Sequence, residues 1–160
     1  MSAIATTTAV PIDALPALQA AAAPRKSLLG GRKDEFPLAL ARHGRPLELF
    51  EFSGYVLETV LAYLSERGVD LVRSRHEEVA RAITSARGST YVILGEEHRA
   101  LAQKLTDAQH APAELAKFFN EMNAASEDPD VGEAMLGGIR FLRRALDAVD
   151  RETVVLVGIV

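Results

Sequence analysis

Apolar residues recur at helical spacing in two places and stop each time at Arg-Gly. Val56, Leu57, Val60, Leu61 and Leu64 run up to Arg67-Gly68, and Val79, Ala82, Ile83 and Ala86 run up to Arg87-Gly88. Steps of three and four residues place each set on one face of a helix. Glycine suits the left-handed position just beyond a helix, and arginine complements the carbonyl-rich last turn. A β-prone run follows each stop: 69–72 (VDLV), then 90–94 (TYVIL), the best strand in the chain. The pattern predicts a helix–strand–helix–strand–helix unit on which the remaining segments are built.

The flanking signals sharpen its boundaries. Residues 46–52 (PLELFEF) satisfy both the strand and the helix period, and Ser53-Gly54 marks a helix start with Ser53 as N-cap. Ser74-Arg75-His76-Glu77 has the Ser-x-x-Glu form of a capping box, which predicts a helix at about 75–86. Gly95-Glu96-Glu97 opens the next helix, its carboxylates suited to the positive end of the dipole, with Leu101, Ala102 and Leu105 inward. Ala111-Pro112 opens another, with Leu115, Phe118, Phe119 and Met122 apolar. Asp128-Pro129 starts the last helix, whose buried stripe is Val131, Met135, Ile139, Leu142, Leu146 and Val149. Gly132, Gly137 and Gly138 lie inside it, each costing around 1 kcal/mol relative to alanine. Close packing against a neighbour is the expected offset. Residues 153–160 carry no charge and are rich in β-branched side chains, which predicts a buried strand. That strand either completes the sheet containing 90–94 or is donated to a partner.

Residues 1–45 read differently. Five of the seven prolines fall in the first 46 residues, and short apolar pieces occur there without sustained periodicity. A flexible or extended arm is the expectation, preceding a single globular domain at 46–160. Its acid-poor start has something of a transit peptide in composition, and Gly30-Gly31 has the form of a leader-cleavage site. A solvated linker is the plainest reading. The alternative is a docking segment in which Leu28, Leu29 and Phe36 sit among Arg25, Lys26, Arg32 and Lys33.

The fold expected is α/β or α+β, helix-dominated, with three to four short strands and about five helices. An all-α bundle, with 69–86 and 90–107 each one continuous helix, is the alternative.

Composition narrows the function. There is no cysteine, which excludes disulfides, thiolate zinc sites, iron–sulfur clusters and a thiol nucleophile, and which suits a reducing, cytoplasmic location. Net charge is −4; residues 1–45 carry +3, so the rest carries −7. So acidic a body argues against a nucleic-acid surface. No apolar run approaches the roughly 18 residues that span a bilayer.

Candidate chemistry depends on the sheet. Were 47–52, 69–72 and 90–94 parallel strands, the loops after them would gather at one edge, where open α/β sheets bind ligands. That edge would collect Ser53, Ser74, His76, Glu96, Glu97 and His98: a histidine as base, a glutamate to orient it, a serine as nucleophile. Each also has a plain structural role, the serines as caps, the glutamates as first-turn acids, and His98 packed with Leu101 and Leu105. No nucleophile elbow and no phosphate-binding glycine loop occur. His76-Glu77-Glu78 and Glu96-Glu97-His98 use adjacent positions, which diverge by about 100° on a helix and rarely share an ion, so no metal and no cofactor is expected. Arg140, Arg143 and Arg144 share a face of the last helix and suit an acidic partner or a phosphate; a solvated face, with Arg143 paired to Asp147, is the commoner outcome. The leading expectation is a non-enzymatic protein-binding component — structural subunit, adaptor or inhibitor — acting on another protein or by self-assembly. A small α/β enzyme or ligand-binding domain is the alternative.

Overall fold

A computed structural model describes residues 3–23, 25, 26, 32–124, 128 and 130–160. β1 (Ala5–Pro11) leads through a 3-10 turn (Ile12–Ala14) into α1 (Leu15–Ala22). The two-residue strands β2 (Arg25–Lys26) and β3 (Arg32–Lys33) pair with each other, and α2 (Phe36–His43) precedes β4 (Arg45–Leu49). α3 (Gly54–Glu66), α4 (Glu77–Arg87) and β5 (Thr90–Leu94) follow, then 3-10 turns at Glu96–Lys104 and Asp107–Gln109. α5 (Pro112–Asn123), α6 (Val131–Asp147) and β6 (Thr153–Ile159) complete the chain. The class is α+β, with helices dominant.

The main sheet has the order β4-β1-β6-β5, and all three pairings are antiparallel. β1 and β6 pair from Ala5↔Ile159 to Pro11↔Thr153 and form its centre. Alternation along β6 explains its lack of charge. Val155, Val157 and Ile159 join Val92, Leu94, α3 and α6 in one core layer. Val154 and Leu156 join Tyr91, Ile93, Val10, α1 and Phe36 in the other. A strand buried on both faces has no solvated position for a charged side chain.

Both helix stops at Arg-Gly are realised, with Gly68 at φ 75° and Gly88 at φ 67°. The apolar stripes of α3 and α6 are buried as expected. Within α6, a Cβ at Gly132 would overlap the Pro112 carbonyl oxygen, and one at Gly138 would lie 3.0 Å from Val60. The glycines therefore let α5 and α3 approach closely.

Three expectations are corrected. Residues 5–11 are not part of an arm but the second strand of the sheet, and α1 and Phe36 build its second core layer. Four of the five prolines that suggested an arm stand where regular structure tolerates them: Pro11 ends β1, Pro16 and Pro37 lie in the first turns of α1 and α2, and Pro46 sits in edge strand β4; Pro24 lies outside the described residues. Residues 69–72 are not a strand; Val69 and Leu71 are buried, and the Asp70 carboxylate accepts the Val72 and Arg73 N–H groups, closing a turn. The buried face of α4 is rotated, with Ala80 and Ile83 inward and Ala86 exposed.

Candidate functional site

The antiparallel sheet does not assemble the expected strand-end cluster. Ser53 is the N-cap residue of α3, beside Ala3 and the Ile159 end of β6, since Gly54 N–H donates to the Ala3 carbonyl at 2.7 Å. Glu96 lies at the other end of β6, 3.5 Å from Arg151. Ser74, His76, Glu97 and His98 do meet in one corner, but the polar side-chain atoms of Ser74, Glu97 and His98 are used to hold the backbone, and His76 takes part through its backbone N–H. Ser74 Oγ accepts the His76 N–H at 3.0 Å, which makes a turn ahead of α4 rather than a cap on it. His98 is 2% exposed; its Nδ1 accepts the Gly95 N–H at 3.1 Å, and its Nε2 donates to the Arg73 carbonyl at 2.7 Å. Neither ring nitrogen is left to act as a base. Glu97 Oε1 accepts the Arg75 N–H at 2.7 Å; burial opposes its ionisation, but that bond and its own backbone N–H prevail and hold the carboxyl below its ordinary range. The corner staples the 70–76 turn to the end of β5.

The residues marked for partner binding are mostly engaged within the chain. Arg140 binds Asp107 through both Nε and a terminal nitrogen, and Arg144 grips Glu48 in the same way. These pairs fasten α6 to the turn at 107 and to β4. Arg143 is exposed and forms no ion pair among the described residues, its expected pairing with Asp147 included. Phe36 is 2% exposed, edge-on to Tyr91 and under the Arg87 guanidinium, so it belongs to the core. Lys33 pairs with Glu35 at 3.3 Å, and Arg32 lies in β3. Leu28 and Leu29 lie outside the described residues. Among the described residues no group of three or more His, Asp or Glu is arranged to hold a metal ion, and no helix is long and apolar enough to cross a membrane.

A further concavity lies elsewhere. A groove of about 630 Å³ runs along edge strand β5, between α3 and α4. Each helix faces it with a stripe at i, i+3, i+4 and i+7: Glu58, Leu61, Ala62 and Ser65 from α3, then Glu77, Ala80, Arg81 and Thr84 from α4. Thr90, Tyr91 and Val92 form the floor, and Val72 and Arg73 close one end. Small residues at 62 and 80 keep the helix surfaces from filling the space. At the strand edge, Thr84 Oγ1 accepts the Tyr91 N–H at 2.9 Å and donates to the Tyr91 carbonyl at 3.3 Å. The hydroxyl thus occupies the N–H and C=O that Tyr91 turns to the strand edge, so at that point the groove offers side-chain surface instead of a ladder.

Its charges are unevenly matched. Arg81 pairs with Glu77, and Arg73 lies 3.6 Å from Asp70. Glu58, half-buried, accepts a 2.7 Å hydrogen bond from the Thr90 hydroxyl and has no cationic partner among the described residues. The sequence carried a signal for this site, since an acid and a hydroxyl residue seven apart bracket Leu61-Ala62 and Ala80-Arg81 in the same register. Read one helix at a time, those residues look like ordinary solvent-facing positions.

No protein-family model matches the chain, and no curated protein or solved structure matches it either.

Proposed function

We propose that this protein is a non-enzymatic binding component that receives a basic, partly apolar segment of another protein in the groove between α3 and α4. The groove itself carries this reading: its volume lies in the range of ligand sites, with apolar walls and a few placed polar groups. Charge supports a basic, foreign occupant. The chain carries −4 overall, so two copies repel, whereas a basic segment is drawn to the acidic body. The hydroxyl cap on Tyr91 favours an occupant held by its side chains over one that extends the sheet. The alternative of a hydrolytic centre at His98 loses its support because both imidazole nitrogens are already committed.

The test places a photo-crosslinking benzoylphenylalanine at Val72, which is 43% exposed at the groove's end, in the full chain within its native cells. A control carries it at Arg143. The captured protein is then purified and titrated by calorimetry against the wild type and Ala62→Trp, a substitution that fills the groove from its α3 wall. The expected result is a partner crosslinked at 72 and not at 143, whose binding Ala62→Trp abolishes while the circular dichroism spectrum is retained. Equal capture at both positions, or undiminished binding by Ala62→Trp, overturns the proposal. Capture of a second copy makes the groove a self-association surface and overturns the foreign occupant.

A further inference from the structure

We infer that Glu58 makes the groove selective for a lysine or arginine side chain of the docked segment, an inference that rests on the binding role proposed above. Three carboxylates line the groove, and two are already served. Asp70 accepts two backbone N–H groups and faces Arg73, and Glu77 holds Arg81. Those two arginines lie at the rim, with side chains 83% and 72% exposed. Glu58 is the exception. The Thr90 hydroxyl fixes Oε1 from the strand below, and Oε2 has no donor among the described residues.

The surroundings specify what completes this site. Leu61, Ala62 and Val72 offer an apolar path alongside the carboxylate. A lysine or arginine stem lies along such surface while its cationic head reaches the charge. A neutral apolar side chain in the same place would strip water from Glu58 and return nothing, and an acidic one would be repelled. A half-buried carboxylate oriented by one hydroxyl is therefore a preorganised seat for one cation.

The experiment follows amide chemical shifts of the ¹⁵N-labelled full chain at low salt. Three probes are titrated: acetyl-Val-Lys-Leu-amide, the same peptide with norleucine replacing lysine, and butylamine. The lysine peptide is expected to shift the amides of Thr90, Tyr91 and Val92 and to bind about fivefold more tightly than the norleucine peptide, the scale of one partly screened ion pair. Glu58→Gln keeps an acceptor for Thr90 and is expected to abolish that preference, weakening the lysine peptide and relieving the desolvation cost paid by the norleucine peptide. Equal affinity for the two peptides, or a preference that survives Glu58→Gln, overturns the role of Glu58 and leaves the groove as a docking surface. If neither peptide shifts the groove amides, the docking reading falls as well. Butylamine binding as tightly as the lysine peptide overturns the peptide occupant.

Discussion

His98→Ala tests whether the corner at the end of β5 is a structural staple. The imidazole is 2% exposed and joins two segments, accepting the Gly95 N–H and donating to the Arg73 carbonyl. Its removal leaves the buried Gly95 N–H without an acceptor, at a cost of about 1–3 kcal/mol. Arg73 is exposed, so water replaces part of the second bond and its loss adds about 1 kcal/mol. With the void left by the ring, the total comes to roughly 2–4 kcal/mol. For a chain of 160 residues that lowers the melting temperature by roughly 6–12 °C. Asparagine and glutamine dissect the pair. Asn Oδ1 stands in for Nδ1 and keeps the Gly95 bond, and Gln Nε2 stands in for the ring's Nε2 and keeps the Arg73 bond. Each is expected to recover about half of the loss. Urea unfolding followed by circular dichroism measures the stability, and amide exchange reports where it was lost. Faster exchange over residues 70–74 is expected, because the His98 ring is what holds the Arg73 carbonyl there. A His98→Ala variant within about 0.5 kcal/mol of wild type, with unchanged exchange at Gly95, would refute the staple.

Two further outcomes follow from the ion pairs and the strand edge. Arg140 holds Asp107, Arg87 holds Asp34, and backbone N–H groups hold Asp150, each carboxyl below the ordinary value of 3.8. A lowered folded pKa stabilises the fold in full above the unfolded value and is lost as pH falls through the folded one. The urea midpoint should therefore decline most steeply below about pH 4, and Arg140→Gln should lower the midpoint at neutral pH and flatten the acid decline; superimposable pH profiles would remove Asp107 from the account. Thr84→Val deletes the hydroxyl that serves both backbone groups of Tyr91, costing about 1–2 kcal/mol and uncovering the β5 edge. Concentration-dependent association by light scattering is the expected accompaniment, and a variant that stays monomeric at unchanged stability rules out the edge cap.

The local grammar of this chain was legible in its residues. The stops at Arg67-Gly68 and Arg87-Gly88 followed from glycine's access to positive φ, and the charge-free 153–160 run followed from burial on both faces of a strand. The stripes of α3 and α6, and the close contacts around Gly132 and Gly138, came from the same period-and-volume reasoning. Partners distant in sequence had no such signature. Ala5 pairs with Ile159, and nothing in a Thr- and Ala-rich start shows that it will become a central strand once β6 exists to receive it. Phe36 looked like a docking residue among basic neighbours until Tyr91 and Arg87 covered it. His98 looked catalytic or merely buried; only the approach of the 70–76 turn assigned both of its nitrogens. The groove has the same origin. α3 and α4 each write half of it in ordinary helical spacing, and β5 and Thr90 turn Glu58 from a surface acid into a fixed, unmatched one. Periodicity, caps and backbone propensity act within a few residues and can be read along the chain, whereas pairing and charge compensation are set by which surfaces meet when the chain closes on itself.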